Sequence, residues 1–434
     1  MTKKLYIKTF GCQMNVYDSA RMRDALMILG YQETSKPGEA DVILINTCHI
    51  REKASEKLFS ELGRLGQIKK KNALIVVAGC VVQADGAEIL RRSPLIDIAL
   101  GPQSYHELPK ILTEFNRQKG RSIKAEFPAE SKFDFLPQPQ KSAANAFLAI
   151  QEGCDNFCSY CVVPYTRGCE YSRPSSEIIQ EAKDLVKLGA KEIMLLGQNV
   201  NCWHGDKGRD LGDLIRDIAK IRGLKRIRYT TSYPSKITSN LINAHADTKK
   251  LMPYIHLPIQ SGSDKILKAM NRQYTVTEYE KIVAEFRTAR PDIAISSDFI
   301  VGFPGETEED FEETLALVER VKYASSFSFK FSARPGTPAS LMKNQIPEEV
   351  KTRRLIKLQK LLLSQQRSFN EATIGKVLEV LLTEKGKEKG QLLGYSPYMQ
   401  GTVIKAPLSK LGEIIRVKIT GASATALTAE MVKD

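Results

Sequence analysis

The chain has 434 residues, 42% of them hydrophobic and 26% charged, with a formal net charge of +14. Such a composition suits two or three globular domains and excludes a membrane-spanning chain, since no apolar run reaches spanning length. Eight cysteines follow an N-terminus with no sustained apolar region and no small-residue cleavage site, so they read as metal ligands or catalytic thiols in a reducing cytoplasm rather than as a disulfide frame.

Residues 1–120 alternate short apolar runs with amphipathic stretches, the pattern of a doubly wound parallel sheet in an α/β fold. Strands are expected at 5–10, 42–46, 74–78 and 96–100, and helices at 19–29, 53–69, 84–92 and 105–118. A cysteine follows three of these strands almost at once: Cys12, Cys48 and Cys80. Parallel strands share one carboxyl edge, where open α/β sheets bind ligands, so the three thiols are expected to be neighbours. Taken singly, each would be a small buried hydrophobe. Gly11 and Gly79 would let the backbone approach a bulky inorganic group, and His49 reads as an exposed loop histidine.

Residues 121–141 carry Pro128, Pro137 and Pro139 without any period and read as a linker. A strand at 146–151 then delivers the chain into Gly-Cys-Asp-Asn-Phe-Cys-Ser-Tyr-Cys, residues 153–161. Cys154, Cys158 and Cys161 can place three thiolates on three irons of a cubane and leave the fourth iron open for a small molecule. The other outcome for such a triad is a structural zinc, with Cys169 as its fourth ligand. From 142 to 342 strands and helices alternate as in a partial (β/α) barrel, with polar, glycine-rich turns at the strand ends. Ser175 is placed to cap a helix reaching 188, and Trp203 reads as core packing.

Residues 343–371 form a basic amphipathic helix that includes Arg353, Arg354, Lys357 and Lys360, and residues 372–434 have the short runs of a small β-barrel. These two segments hold half of the positive excess in about a fifth of the length, which favours a nucleic-acid footprint over a merely solvated face. Tyr395, Tyr398 and the lysines at 385, 387 and 389 are the expected RNA contacts.

The triad, with the aromatic Tyr160 before its last cysteine, resembles the radical S-adenosylmethionine superfamily. That resemblance implies a [4Fe-4S] cluster whose open iron is chelated by S-adenosylmethionine. It assigns Tyr160 to the adenine, Gly197 and Gln198 to the methionine amine, and Gln260 and Asp298 to the ribose. Glu170 and Arg173 match a charged pair near the cofactor carboxylate, for which a structural ion pair is the alternative. The motifs at 11–15 and 17–19, at 46–48 and 51–54, and at 79–80 resemble the N-terminal domain of the methylthiotransferases, which implies a second [4Fe-4S] cluster on Cys12, Cys48 and Cys80. The C-terminal segment resembles the TRAM module, an RNA-binding barrel. The Gln13-Met14-Asn15 form resembles the branch that modifies isopentenylated adenosine in tRNA.

The resemblance implies domains at 1–120, 142–342 and 372–434, joined by the linker at 121–141 and the helix at 343–371. It further implies radical methylthiolation of C2 of that adenosine in the anticodon stem-loop, using two S-adenosylmethionine per turnover. An electron donor and a sulfur source are needed as well, and no motif names either. A cytoplasmic monomer without a membrane partner is expected. Two alternatives stand beside it: a methylthiotransferase acting on threonylcarbamoyl-adenosine or a ribosomal aspartate, and a zinc-stabilised RNA-binding protein without catalysis.

Overall fold

The computed structural model describes residues 2–48, 52–118, 120–128 and 131–432, so His49 and Arg51 lie outside the described residues. The chain divides into two compact units: residues 1–141, 147–155 and 162–173, and residues 142–146, 156–161 and 174–434.

The first unit contains β1 (Lys4–Thr9), α1 (Gln13–Ile28), β2 (Gln32–Glu33), β3 (Val42–Asn46), α2 (Glu52–Ile68), β4 (Leu74–Ala78), α3 (Cys80–Asp85), α4 (Glu88–Arg92), β5 (Ile98–Leu100), α5 (Leu108–Gln118) and β6 (Ser122–Lys124). The six strands form one parallel sheet in the order β2-β1-β3-β4-β5-β6. The apolar runs Val-Ile-Leu-Ile and Leu-Ile-Val-Val of β3 and β4 supply both faces: Leu44 and Val76 join one core cluster, Ile43 and Val77 the other. A sheet covered on both sides requires such continuous apolar strands.

Three expectations change here. Helix α1 starts at Gln13, well before 19, with Cys12 as its N-cap. The helix expected at 84–92 is two short pieces, α3 and α4. The stretch read as a linker begins with β6, which pairs with β5, and it buries Lys132 and Phe133.

After β7 (Asn145–Ala149), the strands β8 (Gln151–Glu152) and β9 (Tyr171–Ser172) pair antiparallel around α6 (Val163–Arg167). The second unit continues with α7 (Ser175–Lys187), β10 (Glu192–Leu196), α8 (Leu211–Ala219), β11 (Arg226–Tyr229), α9 (Ser239–Asp247), β12 (Tyr254–His256), α10 (Asp264–Ala269), α11 (Val276–Ala289), β13 (Ala294–Val301), α12 (Glu308–Val321) and β14 (Ser325–Lys330). Helix α7 takes Pro174, not Ser175, as its N-cap. Strands β10 and β11 pair in parallel, as do β12, β13 and β14, and a parallel bridge joins Ile227 to Leu251. This is the curved parallel arrangement of a partial barrel. Trp203 is buried.

Helix α13 (Glu348–Glu371) leads to β15 (Val377–Lys385), β16 (Gln391–Tyr395), β17 (Gly401–Lys405), β18 (Ile414–Ala422) and β19 (Leu427–Met431), which close into a barrel in the order β15-β16-β17-β19-β18. Three of the six basic side chains of α13 face carboxylates of α12. Arg354 is buried and donates to Glu306 at 2.8 Å and Glu308 at 3.1 Å, Arg353 lies 3.7 Å from Glu308, and Lys357 pairs with Glu312. Tyr398, expected to face RNA, donates to Asp292 at 2.9 Å and packs on Phe369. Arg226 and Arg228 on β11 donate to the main-chain carbonyls of Glu379, Tyr395, Ser396 and Pro397, and Glu192 accepts from Arg228 at 2.9 Å.

Candidate metal centres

Strands β1, β3 and β4 are neighbours in the sheet, so the residues that follow them, Cys12, Cys48 and Cys80, meet at its carboxyl edge. The thiol of Cys48 is hydrogen-bonded to those of Cys12 and Cys80. Those bonds pull Cys12 down to about 6 and Cys80 to about 7; burial opposes this and the charge of Arg167 assists. Cys48 is pushed up by the same two neighbours and by burial. Three contiguous thiols suit an inorganic cluster in which each thiolate takes its own iron.

Gly11 and Gly79 have φ of +113° and +103°, where a side chain is strained. A Cβ on Gly11 would stand 2.6 Å from Cys48 Cβ, and one on Gly79 would overlap Thr47 O. The glycines therefore let three loops crowd together, which is a different reason from close approach to a cluster. Asn15 and Asn46 tie these loops: Asn15 Nδ2 donates to Asn46 Oδ1 at 3.0 Å, and Asn46 Nδ2 donates to Asn15 O at 2.9 Å and to Ser19 Oγ at 3.0 Å.

Sequence reasoning missed the charged layer behind these thiols. Arg167, 3% exposed, donates from Nε to Cys80 Sγ at 3.3 Å, from Nη2 to Asp18 at 2.8 Å and from Nη1 to Glu152. Lys132, wholly buried, lies 2.6 Å from Glu152 and 3.6 Å from Asp18, and donates to Pro102 O at 2.9 Å. Two cations thus face two carboxylates. Burial works against the charge of Arg167, but the carboxylates and thiols outweigh it and hold the guanidinium charged. The only available signals were Arg167 six residues after Cys161 and a lone lysine among prolines.

Of the second triad, Cys154 belongs to the first unit, and Cys158 and Cys161 to the second. Gly153 has φ of +77°, and its missing Cβ makes room for Cys169 O; Cys154 N donates to Gly168 O at 3.1 Å. In the second unit the loop at 156–161 is held by the turn after α10. Ser159 N and Oγ donate to Met270 O at 3.0 Å and Ala269 O at 2.8 Å, and Asn271 Nδ2 donates to the carbonyls of Asn156 at 3.1 Å and Phe157 at 3.0 Å. Arg272 follows, and its Nη1 stands 3.6 Å from Cys158 Sγ.

Among the expected cofactor contacts, Tyr160 meets Phe303 edge-on at 6.5 Å. Gly197 and Gln198 form the turn after β10, the first buried and the second half-buried. Gln260 and Asp298 are brought together: Gln260 N donates to Asp298 O at 2.9 Å, and Gln260 has an unusual φ of +80°. Asp298 Oδ1 is buried and has no partner among the described residues, while Oδ2 lies 3.5 Å from His256 Nε2. An orphaned carboxylate oxygen is what a ribose hydroxyl would satisfy. Arg173 lies in the first unit, where Nη1 donates to Ala149 O at 2.6 Å and the guanidinium covers the Phe133 ring at 4.6 Å. Glu170 N, in the same unit, donates to Asp155 at 3.1 Å.

Residues 4–101 match the Uncharacterized protein family UPF0004, residues 148–318 the Radical SAM superfamily and residues 371–432 the TRAM domain. A tRNA-2-methylthio-N(6)-dimethylallyladenosine synthase from Maricaulis maris (strain MCS10) is 53% identical over 99% of this chain and 97% of its own length. The protein of the same name from Wolbachia pipientis wMel is 55% identical over 98% of each. The chain belongs to the tRNA-2-methylthio-N6-dimethylallyladenosine synthase family. Among solved structures, the radical S-adenosylmethionine methyltransferase TsrM from Kitasatospora setae, with tryptophan substrate and a SAM analog bound, aligns with a TM-score of 0.60 at 14% identity, over 79% of this chain and 75% of that one. At that identity the likeness is one of fold. The family's three matched segments agree with the α/β sheet, the partial barrel and the closed small barrel described above.

Proposed function

We propose that the protein is a radical S-adenosylmethionine enzyme that replaces the C2 hydrogen of N6-isopentenyl-adenosine in the tRNA anticodon loop with a methylthio group. The observation that carries this reading is the meeting of Cys12, Cys48 and Cys80 at one sheet edge, in a chain that also has the Cys154, Cys158, Cys161 triad. An aromatic C–H is not acidic enough for any side-chain base at neutral pH, so the reaction needs radical chemistry, which a protein borrows from cofactors. When bound, two [4Fe-4S] clusters and S-adenosylmethionine would supply one-electron reduction, a hydrogen-abstracting radical, sulfur and a methyl group.

The chain's own residues would then hold and orient. Cys12, Cys48 and Cys80 would ligate one cluster, and Cys154, Cys158 and Cys161 the other. Tyr160 would cover the cofactor adenine, Gly197 and Gln198 would receive the methionine amine, and Gln260 and Asp298 the ribose. Glu170 and Arg173 would serve the carboxylate. The small barrel would grip the stem-loop, whose target base must be unstacked to react. No helix among the described residues is long and apolar enough to cross a membrane. We expect a cytoplasmic monomer served by a separate electron donor and sulfur source.

The test is anaerobic reconstitution, then incubation with S-adenosylmethionine, a reductant and isopentenylated anticodon stem-loop, followed by mass analysis. The product should gain the mass of a methylthio group less one hydrogen. Cys154→Ala should abolish 5′-deoxyadenosine, whereas Cys48→Ala should spare part of it and eliminate sulfur insertion. A colourless protein carrying tetrahedral zinc would overturn the reading.

A further inference from the structure

Among the described residues, one buried arginine stands against a sulfur of each cysteine triad, and the two arginines differ in what balances their charge. Arg167, beside Cys80, is answered by Asp18 and Glu152, with Lys132 completing a group of two positive and two negative charges. Arg272, beside Cys158, has no carboxylate among the described residues. Its Nη2 donates to Pro258 O at 2.8 Å, its buried Nε has no partner among the described residues, and its guanidinium lies 4.8 Å from the Tyr233 ring centre and 5.4 Å from that of Tyr274. Aromatic faces and a carbonyl oxygen accommodate a cation without cancelling it.

The potential of an iron-sulfur cluster follows its net charge, the hydrogen bonds to its sulfurs and its exposure. Reduction adds one electron, so the cluster's charge falls by one, and a nearby uncompensated cation favours the reduced form. A charge-neutral group that also donates an N–H to sulfur has a weaker influence, because its field falls off quickly. We propose that Arg272 raises the reduction potential of the Cys154, Cys158, Cys161 cluster above that of the Cys12, Cys48, Cys80 cluster, so that the first electron from a one-electron donor goes to the former. This rests on the two-cluster reading above. Its consequence is order: the centre that reduces the sulfonium takes up its electron before the sulfur-bearing centre does.

The experiment separates the clusters in the full-length chain. The triple variant C12A/C48A/C80A retains one triad, and C154A/C158A/C161A retains the other. Potentials are read by electron paramagnetic resonance during an anaerobic redox titration without S-adenosylmethionine. The first protein should show the higher midpoint. Adding Arg272→Gln should shift that midpoint to a more negative value, and Arg272→Lys, which keeps the charge, should restore most of the shift. Arg272→Gln in the second protein should leave the midpoint unchanged. Equal midpoints in the two parents, an unmoved midpoint in Arg272→Gln, or a lysine variant displaced as far as the glutamine one would each overturn the inference. Iron content and the cluster signal of the two parents report on the reading beneath it: failure of either to hold a four-iron cluster would remove that reading. The comparison of parents needs no substitution at Arg272, so the ordering stays testable if that position proves intolerant.

Discussion

Gly153 and Cys169 stand so close that a methyl group on the first would overlap the carbonyl oxygen of the second, and Gly153 holds φ at +77°. The contact closes the hairpin of β8 and β9 over the start of the triad loop, where Cys154 N donates to Gly168 O. Gly153→Ala should therefore open the hairpin and misplace Cys154. Iron bound after anaerobic reconstitution should fall by about half, as expected when one of two four-iron centres is lost. Gly30, at φ +80° with nothing within 4 Å of its missing Cβ, is the control. Its alanine variant should cost only about 1 kcal/mol of backbone strain and leave the iron unchanged.

Asp298 presents a buried oxygen with no donor among the described residues, next to Gln260. If a ribose hydroxyl donates to that oxygen, Asp298→Asn should weaken S-adenosylmethionine binding by about tenfold or more, the usual loss for a hydrogen bond to a charged group. Equilibrium dialysis with reconstituted protein measures this, with iron content expected to match the parent. An affinity within about twofold of the parent would take Asp298 out of the cofactor site.

His245 should give the fold an acid-sensitive component. It is buried with its Nε2 2.7 Å from the Tyr229 hydroxyl, and burial, with the nearby Arg290 charge, lowers its pKa to about 3. The unfolded chain binds a proton near the ordinary value of about 6.5 and the folded chain does not. Stability is therefore full above about pH 6.5 and declines as the pH falls toward 3, by several kcal/mol at most. His245→Gln should flatten that slope relative to the parent in urea unfolding measured at successive pH values. Parallel curves would show that the imidazole charges in place.

Lys385, Lys387 and Lys389 remain exposed in the small barrel, in contrast to Arg354 of α13, which is buried against Glu306. Replacing all three with alanine should weaken binding of any tRNA to a similar extent. It should also lessen the slope of log affinity against log salt by up to about 0.9 for each phosphate that is no longer neutralised. Tyr398→Phe should leave that slope unchanged, because its hydroxyl is committed to Asp292.

The strands of the first unit were readable because runs such as 42–45 and 74–77 are apolar without interruption, and the three cysteines could be placed together from strand topology alone. The start of α1 was hidden because Asn15, Asp18, Ser19, Arg21 and Asp24 are buried polar residues, which erase the apolar stripe that marks a helix. Lys132 falls in a stretch whose prolines read as a linker, and its carboxylate partners lie far off in the chain, at 18 and 152. Arg272 is set by Cys158, Tyr233, Tyr274 and Pro258, three of them distant in the chain, and no local pattern announces it. The basic helix misled in the opposite direction, since its charge was visible and its acidic partners on α12 were not.

The attachment of the small barrel to β11 has an evolutionary corollary. In the barrel, Arg226 and Arg228 donate to peptide oxygens of residues 379 and 395–397, so what they recognise there is the path of the main chain. The exposed side chain of Glu379 is therefore free to drift without loosening the joint, whereas Ser396, buried and accepting from the main-chain N–H groups of Tyr398 and Gln400, keeps the bend that the arginines read.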